Sequence, residues 1–197
     1  MKLGLTGGIG CGKSTAVRML ADLGWRTLQA DAIGHAIVDA DPLVRDALLA
    51  RWGNAVLDSC GRVSRQWIAT RVFRDDEELQ WLEQLLHPRI RAEWEQRVSA
   101  NAEANWVVEI PLLFEKRLET AFDFTVCVVC PLSTAKERIH QGGDVIAAFD
   151  QRRRRQLPLE LKAACADYVI YNAGSLNFLQ RQIEDLIQKL SAVHECL

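Results

Sequence analysis

The stretch Lys2 to Thr15, reading KLGLTGGIGCGKST, limits what this chain can fold into more than any other. Lys2 to Thr6 is a short, mostly apolar run of the kind buried in a parallel sheet, and Gly7 to Ser14 fits the spacing GxxxxGK[ST]. A strand that runs directly into such a loop predicts a phosphate cradle. Glycines at Gly7, Gly8, Gly10 and Gly12 let the backbone curl, with some positive φ values, until successive N–H groups face one anion. Lys13 supplies a cation for the β and γ phosphates, Ser14 a hydroxyl for Mg²⁺, and the helix expected over Thr15 to Leu23, ended by Gly24, points the positive end of its dipole the same way. The apolar strand before the loop and the helix after it separate this pattern from a glycine-rich turn that binds nothing.

With 197 residues the chain can bury one core with a small insert. A net charge of −2 argues against a general nucleic-acid or membrane-surface binder, both of which select a strongly basic face. Arginine outnumbers lysine, 18 to 6, which suits polyphosphate oxygens, although genome composition explains the bias equally well. The cysteines Cys11, Cys60, Cys127, Cys130, Cys165 and Cys196 are scattered, so a reducing cytoplasm is the simplest setting. Cys127 and Cys130 form a CxxC within an apolar run, where positions three apart on a strand face opposite sides of a sheet. Core cysteines are therefore expected there, not a redox or zinc pair. No apolar run approaches the ~20 residues of a membrane span.

A second strand over Trp25 to Ala30 delivers Asp31 to the carboxyl edge of the sheet, the edge that holds ligands in open α/β folds. From its position alone Asp31 serves equally well as the N-cap of the next helix or as a catalytic carboxylate. Residues 32–104 carry amphipathic periodicity with hardly a candidate strand. Helices are expected over Ala36 to Trp52, Arg65 to Phe73 and Glu77 to Ala100, with turns at Asp41-Pro42, Gly53-Asn54 and Asp58 to Gly61 and a helix start or kink at His87-Pro88. This block reads as an acceptor-binding insert. Trp106 to Ile110 is a third strand, and Glu109 near its end is placed to assist Mg²⁺ or its water. Phe124 to Cys130 is a fourth, followed by a helix from Ser133 to His140 that carries Arg138. Gln141-Gly142-Gly143 and the run Arg152 to Arg155 suit a lid over phosphates, though residues about 100° apart on a helix cannot all reach one ligand. Tyr168 to Tyr171 is a fifth strand, and a packing helix over Leu176 to Val193 closes the chain. The expected fold is α/β: a parallel five-stranded sheet flanked by helices, with core 1–31, 105–138 and 164–197, insert 32–104 and lid 139–163.

Taken together, LTGGIGCGKST, Ala30-Asp31-Ala32-Ile33-Gly34-His35, Leu86-His87-Pro88, Ile110 to Glu115, Gln156 to Glu160, Ala166 to Ile170 and Asn172-Ala173-Gly174 resemble the dephospho-coenzyme A kinase family over nearly the whole chain. The resemblance implies transfer of a phosphoryl group from ATP, with Mg²⁺, to the ribose 3′-hydroxyl of dephospho-coenzyme A, the last step of coenzyme A synthesis. It implies that Gly8, Ile9, Gly10, Cys11, Gly12, Lys13, Ser14 and Thr15 hold the ATP phosphates and that Asp31 orients and deprotonates the hydroxyl. Asn172 and Gly174 would lie toward the adenine. The acceptor would meet Thr6, Asp31, His35 and His87, together with Glu109, Leu113 and Glu115. Arg138 and Arg152 would be the transition-state cations. The chain departs from the family at Gln29, where many members have a second acid, and at Gln141-Gly142-Gly143, where a lid arginine is usual. The pattern also fits another small-molecule kinase of this fold, such as a nucleoside monophosphate kinase, or a nucleotide-dependent switch. The Pro111-Leu-Leu-Phe-Glu115 segment and the His-Pro element favour the first reading, and no Asn-Lys-x-Asp guanine-reading motif supports a switch.

Overall fold

The structure is a computed structural model that describes residues 1–141 and 153–194. Five strands form one sheet: β1 (Lys2–Gly7), β2 (Arg26–Gln29), β3 (Trp106–Glu109), β4 (Phe124–Val129) and β5 (Tyr168–Tyr171). Their spatial order is β2-β3-β1-β4-β5, and the β1–β3, β1–β4 and β4–β5 pairings are all parallel. The order follows from burial. Strand β1 is buried on both faces, Leu3 and Leu5 on one and Gly4 and Thr6 on the other, and only the centre of a sheet covered on two sides accepts such a strand. Its two neighbours come later in the chain, so connections diverge on either side of it. The loop after β1 therefore opens at the crevice where α/β sheets bind ligands.

The chain divides into two compact units, Met1–Thr27 with Ala102–Leu197, and Leu28–Asn101. In the first, α1 (Lys13–Asp22) buries Ala16, Val17 and Leu20, the stripe expected at helical spacing, in a core shared with β1, β4 and the carboxyl-terminal helix. Helices α6 (Leu132–Gln141), α7 (Leu159–Cys165) and α8 (Leu176–His194) complete it among the described residues. Leu179, Ile183, Leu186 and Leu190 of α8 are buried, so its stripe is packing, as expected.

The second unit is helical: α2 (Ala30–Ala40), α3 (Pro42–Trp52), α4 (Arg65–Val72) and α5 (Asp76–Ser99). Asp41 caps α3 by accepting from the Leu43 and Val44 amides, Ser64 caps α4 through Trp67 N, and Asp75 caps α5 through Glu77 N and Glu78 N. Glu78 is buried under Arg51, Arg71 and the Trp52 indole, which donate to it at 2.9 to 3.0 Å.

Two expectations are corrected here. His87-Pro88 does not start a helix; α5 runs through Pro88 from Asp76 to Ser99, close to the span expected over Glu77 to Ala100. Proline removes one backbone donor, but burial of Leu82 on one side and Trp94 and Val98 on the other holds the helix, and the Arg89 guanidinium donates to the Leu85 carbonyl at 2.6 Å. Asp31 is not an N-cap. The cap position of α2 is Gln29, whose side chain makes no capping bond, and Asp31 lies inside the first turn.

Candidate active site

Between Gly7 and Lys13 the backbone turns back over the end of β1. Gly10 and Gly12 are left-handed, with φ of 75° and 86°, and both are crowded. A Cβ at Gly10 would lie 2.7 Å from the Ala135 carbonyl oxygen, and one at Gly12 would collide with the Asn172 side-chain amide. Gly8 serves differently from these two. Its φ is not positive, and it is glycine for room, because a Cβ would meet Cys11 Sγ at 2.8 Å. Helix α1 starts at Lys13, whose Nζ donates to the Gly8 carbonyl at 3.1 Å and so reaches back across the loop. The helix's first-turn N–H groups and the positive end of its dipole face the same space. Ser14 is exposed there and Thr15 half-buried.

Asn172, just past β5, braces the loop from behind. It is buried, donates from Nδ2 to the Cys11 carbonyl at 2.8 Å and accepts from Arg138 Nη2 at 3.4 Å. The side chain that the resemblance places near adenine is thus committed inside the protein. Arg138 comes from the last turn of α6, and its Nη1 is buried without a partner among the described residues, 3.6 Å from the point where a Gly12 Cβ would stand. An unpaired guanidinium N–H next to a glycine loop is a donor waiting for an anion. Cys130 lies against Cys11, Sγ to Sγ 3.3 Å, not against Cys127. The thiol hydrogen bond from Cys130, helped by Lys13, holds Cys11 below its ordinary value, while burial pushes Cys127 up to about 12.

Beside the loop opens a cleft of about 620 Å³, lined by Gly8, Ile9, Ala135, Arg153, Leu157 and Lys162 among others. Behind Lys162, the buried Thr6 Oγ1 donates to the Pro111 carbonyl at 3.3 Å, and Lys162 Nζ donates to the same oxygen at 2.6 Å. Lys162 also pairs with Glu115 Oε1 at 2.8 Å. Glu109 is buried at the end of β3, and Leu113 is fully buried, so its side chain belongs to the core. Gly174 is exposed after β5. Arg152 lies outside the described residues, as do Gly142 and Gly143. In the second unit Asp31 and His35 are both exposed and one turn apart on α2, opposite the buried Ile33, Gly34 and Val38. Gly34 abuts Ile90 of α5, one turn beyond His87.

Lys162 is the residue that sequence reasoning missed. A signal existed: it shares the inward face of α7 with Leu159, and a charge on an apolar face needs a partner. The Cys11–Cys130 contact had none, because the two positions are 119 residues apart.

A central parallel strand, a left-handed glycine loop, a lysine opening the next helix and a guanidinium held open beside them define a phosphate-loop kinase. The family model described as dephospho-CoA kinase matches residues 1–177. A dephospho-CoA kinase of Aquifex aeolicus is 34% identical over 96% of this chain and 97% of its own. Among solved structures, one from Thermus thermophilus superposes with a TM-score of 0.82 at 33% identity, covering 96% of this chain and 97% of the other. The dephospho-CoA kinase from Campylobacter jejuni gives 0.72 at 26%, covering 98% and 100%. The chain belongs to the dephospho-CoA kinase family.

Proposed function

We propose that the chain carries the γ-phosphoryl group of ATP to the ribose 3′-hydroxyl of dephospho-CoA and that its roles divide as follows. The loop from Gly8 to Thr15 binds the triphosphate, with Lys13 swinging from the Gly8 carbonyl to the β and γ oxygens. Arg138 and Arg152 balance charge that builds on the transferring group in a loose transition state. Asp31 accepts the hydroxyl proton and, more importantly, aims the oxygen. His35, His87, Glu109 and Glu115 orient the acceptor, with Thr6 and Leu113 shaping the wall behind it; Gly174 leaves room near the base. Among the described residues no three His, Cys, Asp or Glu side chains cluster as a metal cage. The residues fit Mg²⁺ all the same, since that ion keeps water and phosphate ligands and needs only an oxygen or two from protein, here the exposed Ser14 hydroxyl with Glu109 near its water. Bound there, it would neutralise phosphate charge.

The observation that carries this reading is Arg138 Nη1, buried and unpartnered beside Gly12. Leaving such a group unsatisfied costs about 1–3 kcal/mol or more for a charge, a penalty that a bound phosphate removes. No described helix is long and apolar enough to cross a membrane. The test is a panel of alcohol acceptors with ATP, scored by ADP release and product mass. Dephospho-CoA alone should be turned over well, and Lys13→Ala should remove turnover. Equal turnover of nucleoside monophosphates, or full activity of a folded Lys13→Ala protein, would reject the reading.

A further inference from the structure

We propose that Lys162 is a positioning residue for phosphoryl transfer, one that acts through Glu115 and the Pro111 carbonyl and touches neither substrate. Lys162 is fully buried, 0% exposed, and donates to Pro111 O at 2.6 Å and Glu115 Oε1 at 2.8 Å. These contacts tie three segments to one ammonium. Pro111 follows β3, and its carbonyl is shared with Thr6 at the end of β1. Glu115 Oε1 also accepts from Leu157 N at 2.8 Å, which fixes the stretch leading into α7. One turn before Lys162, Leu159 lies against the phosphate loop, 3.4 Å from the point where a Gly8 Cβ would stand.

Stability alone does not call for such a pair. Removing two charges from water is expensive, and apolar residues of similar volume often serve as well or better. The arrangement also leaves Glu115 Oε2 buried with no partner among the described residues, which adds a further penalty. The ammonium does what a methyl group could not: it gives the Glu115 carboxylate one orientation, occupies Oε1 and leaves Oε2 as the available acceptor. Through Pro111 it also sets the position of the segment after β3. A bound acceptor that presents a hydroxyl or amide N–H is the chemistry that would meet Oε2.

The inference rests on the kinase reading above, and wild-type turnover of dephospho-CoA is the control that separates failure of the two. Lys162→Met, Glu115→Gln, the double variant and Lys162→Arg should each be assayed for KM of both substrates, kcat and unfolding temperature. Lys162→Met strands a buried carboxylate and should unfold earlier; the double variant removes both charges and should regain much of that loss. A positioning role predicts that kcat/KM for dephospho-CoA falls by up to about 10²-fold in the double variant while KM for ATP stays within about twofold. The double variant should be no worse than Glu115→Gln alone, and Lys162→Arg should recover part of the activity. Near-normal acceptor kcat/KM in folded Lys162→Met or in the double variant would overturn the proposal. So would losses that add, since addition means Lys162 acts independently of Glu115.

Discussion

Replacing Gly12 by alanine isolates the close packing on which the phosphate loop depends. Gly12 has φ of 86°, where an L-residue is disfavoured by about 1–2 kcal/mol. Its Cβ would also occupy the space of Asn172 Nδ2. Asn172 must then withdraw, and the Cys11 carbonyl loses a buried hydrogen bond of 2.8 Å, which costs about 1–3 kcal/mol. The total is roughly 2–5 kcal/mol. Gly24 supplies the control. It has nearly the same φ, 88°, but nothing lies within 4 Å of the added carbon. Gly24→Ala carries the backbone term alone, and the gain from a stiffer unfolded chain is common to both variants. Their difference, about 1–3 kcal/mol, reports the Asn172 contact. Tryptophan fluorescence is a poor readout, because Trp52, Trp67, Trp81 and Trp94 all lie in the other unit. Native-state hydrogen exchange at the buried Ala16, Val17 and Leu20 amides of α1 reads the relevant unit directly. Equal losses of protection in the two variants would refute the packing argument, as would an undiminished ATP affinity in Gly12→Ala.

Further outcomes follow from other parts of the structure. Arg138→Ala should lower kcat by about 10³-fold or more with a modest change in ATP KM, measured by steady-state ADP release; near-normal kcat would remove Arg138 from the transition state. Asn172→Ala should raise ATP KM more than it lowers kcat, because it frees the Cys11 carbonyl without removing a cation. Glu78 concerns stability. Hydrogen bonds from Arg71, then Arg51 and Trp52, hold its carboxyl at about 2, below its ordinary 4.5. A depressed folded value means that the contribution is complete above about pH 4.5 and is lost as the pH falls through about 2. The carboxylate is 9% exposed but its arginines are 42% and 48% exposed, so the contribution is about 1–3 kcal/mol, between that of a surface pair and a buried one. Glu78→Gln should lower urea stability at pH 7 and flatten the acid limb; a parallel acid profile would exclude this carboxylate as its source.

The phosphate loop and all five strands were legible because each rests on local chemistry: glycine and lysine at fixed spacing, and short apolar runs between turn signals. The strands agree with expectation to within a residue, one shorter at Trp25, Ala30, Ile110 and Cys130 and one longer at Gly7. What local pattern could not supply was anything settled by distant neighbours. Asp31 has the composition of a cap, but the helix begins before it, at Ala30. The brace of Asn172 on the Cys11 carbonyl spans 161 positions, beyond the reach of any local pattern. Lys162 owes its burial to Glu115 and Pro111, 47 and 51 positions away, and no local pattern announces such partners.

The central claim is that the loop delivers a phosphoryl group to an alcohol aimed by Asp31, and it is tested most directly by single-turnover transfer from ATP to dephospho-CoA in wild type and Asp31→Asn. Asparagine keeps the shape and removes the proton acceptor, so transfer should slow by about 10²- to 10⁴-fold while both substrates still bind. Transfer at the wild-type rate by a folded Asp31→Asn protein would contradict the account.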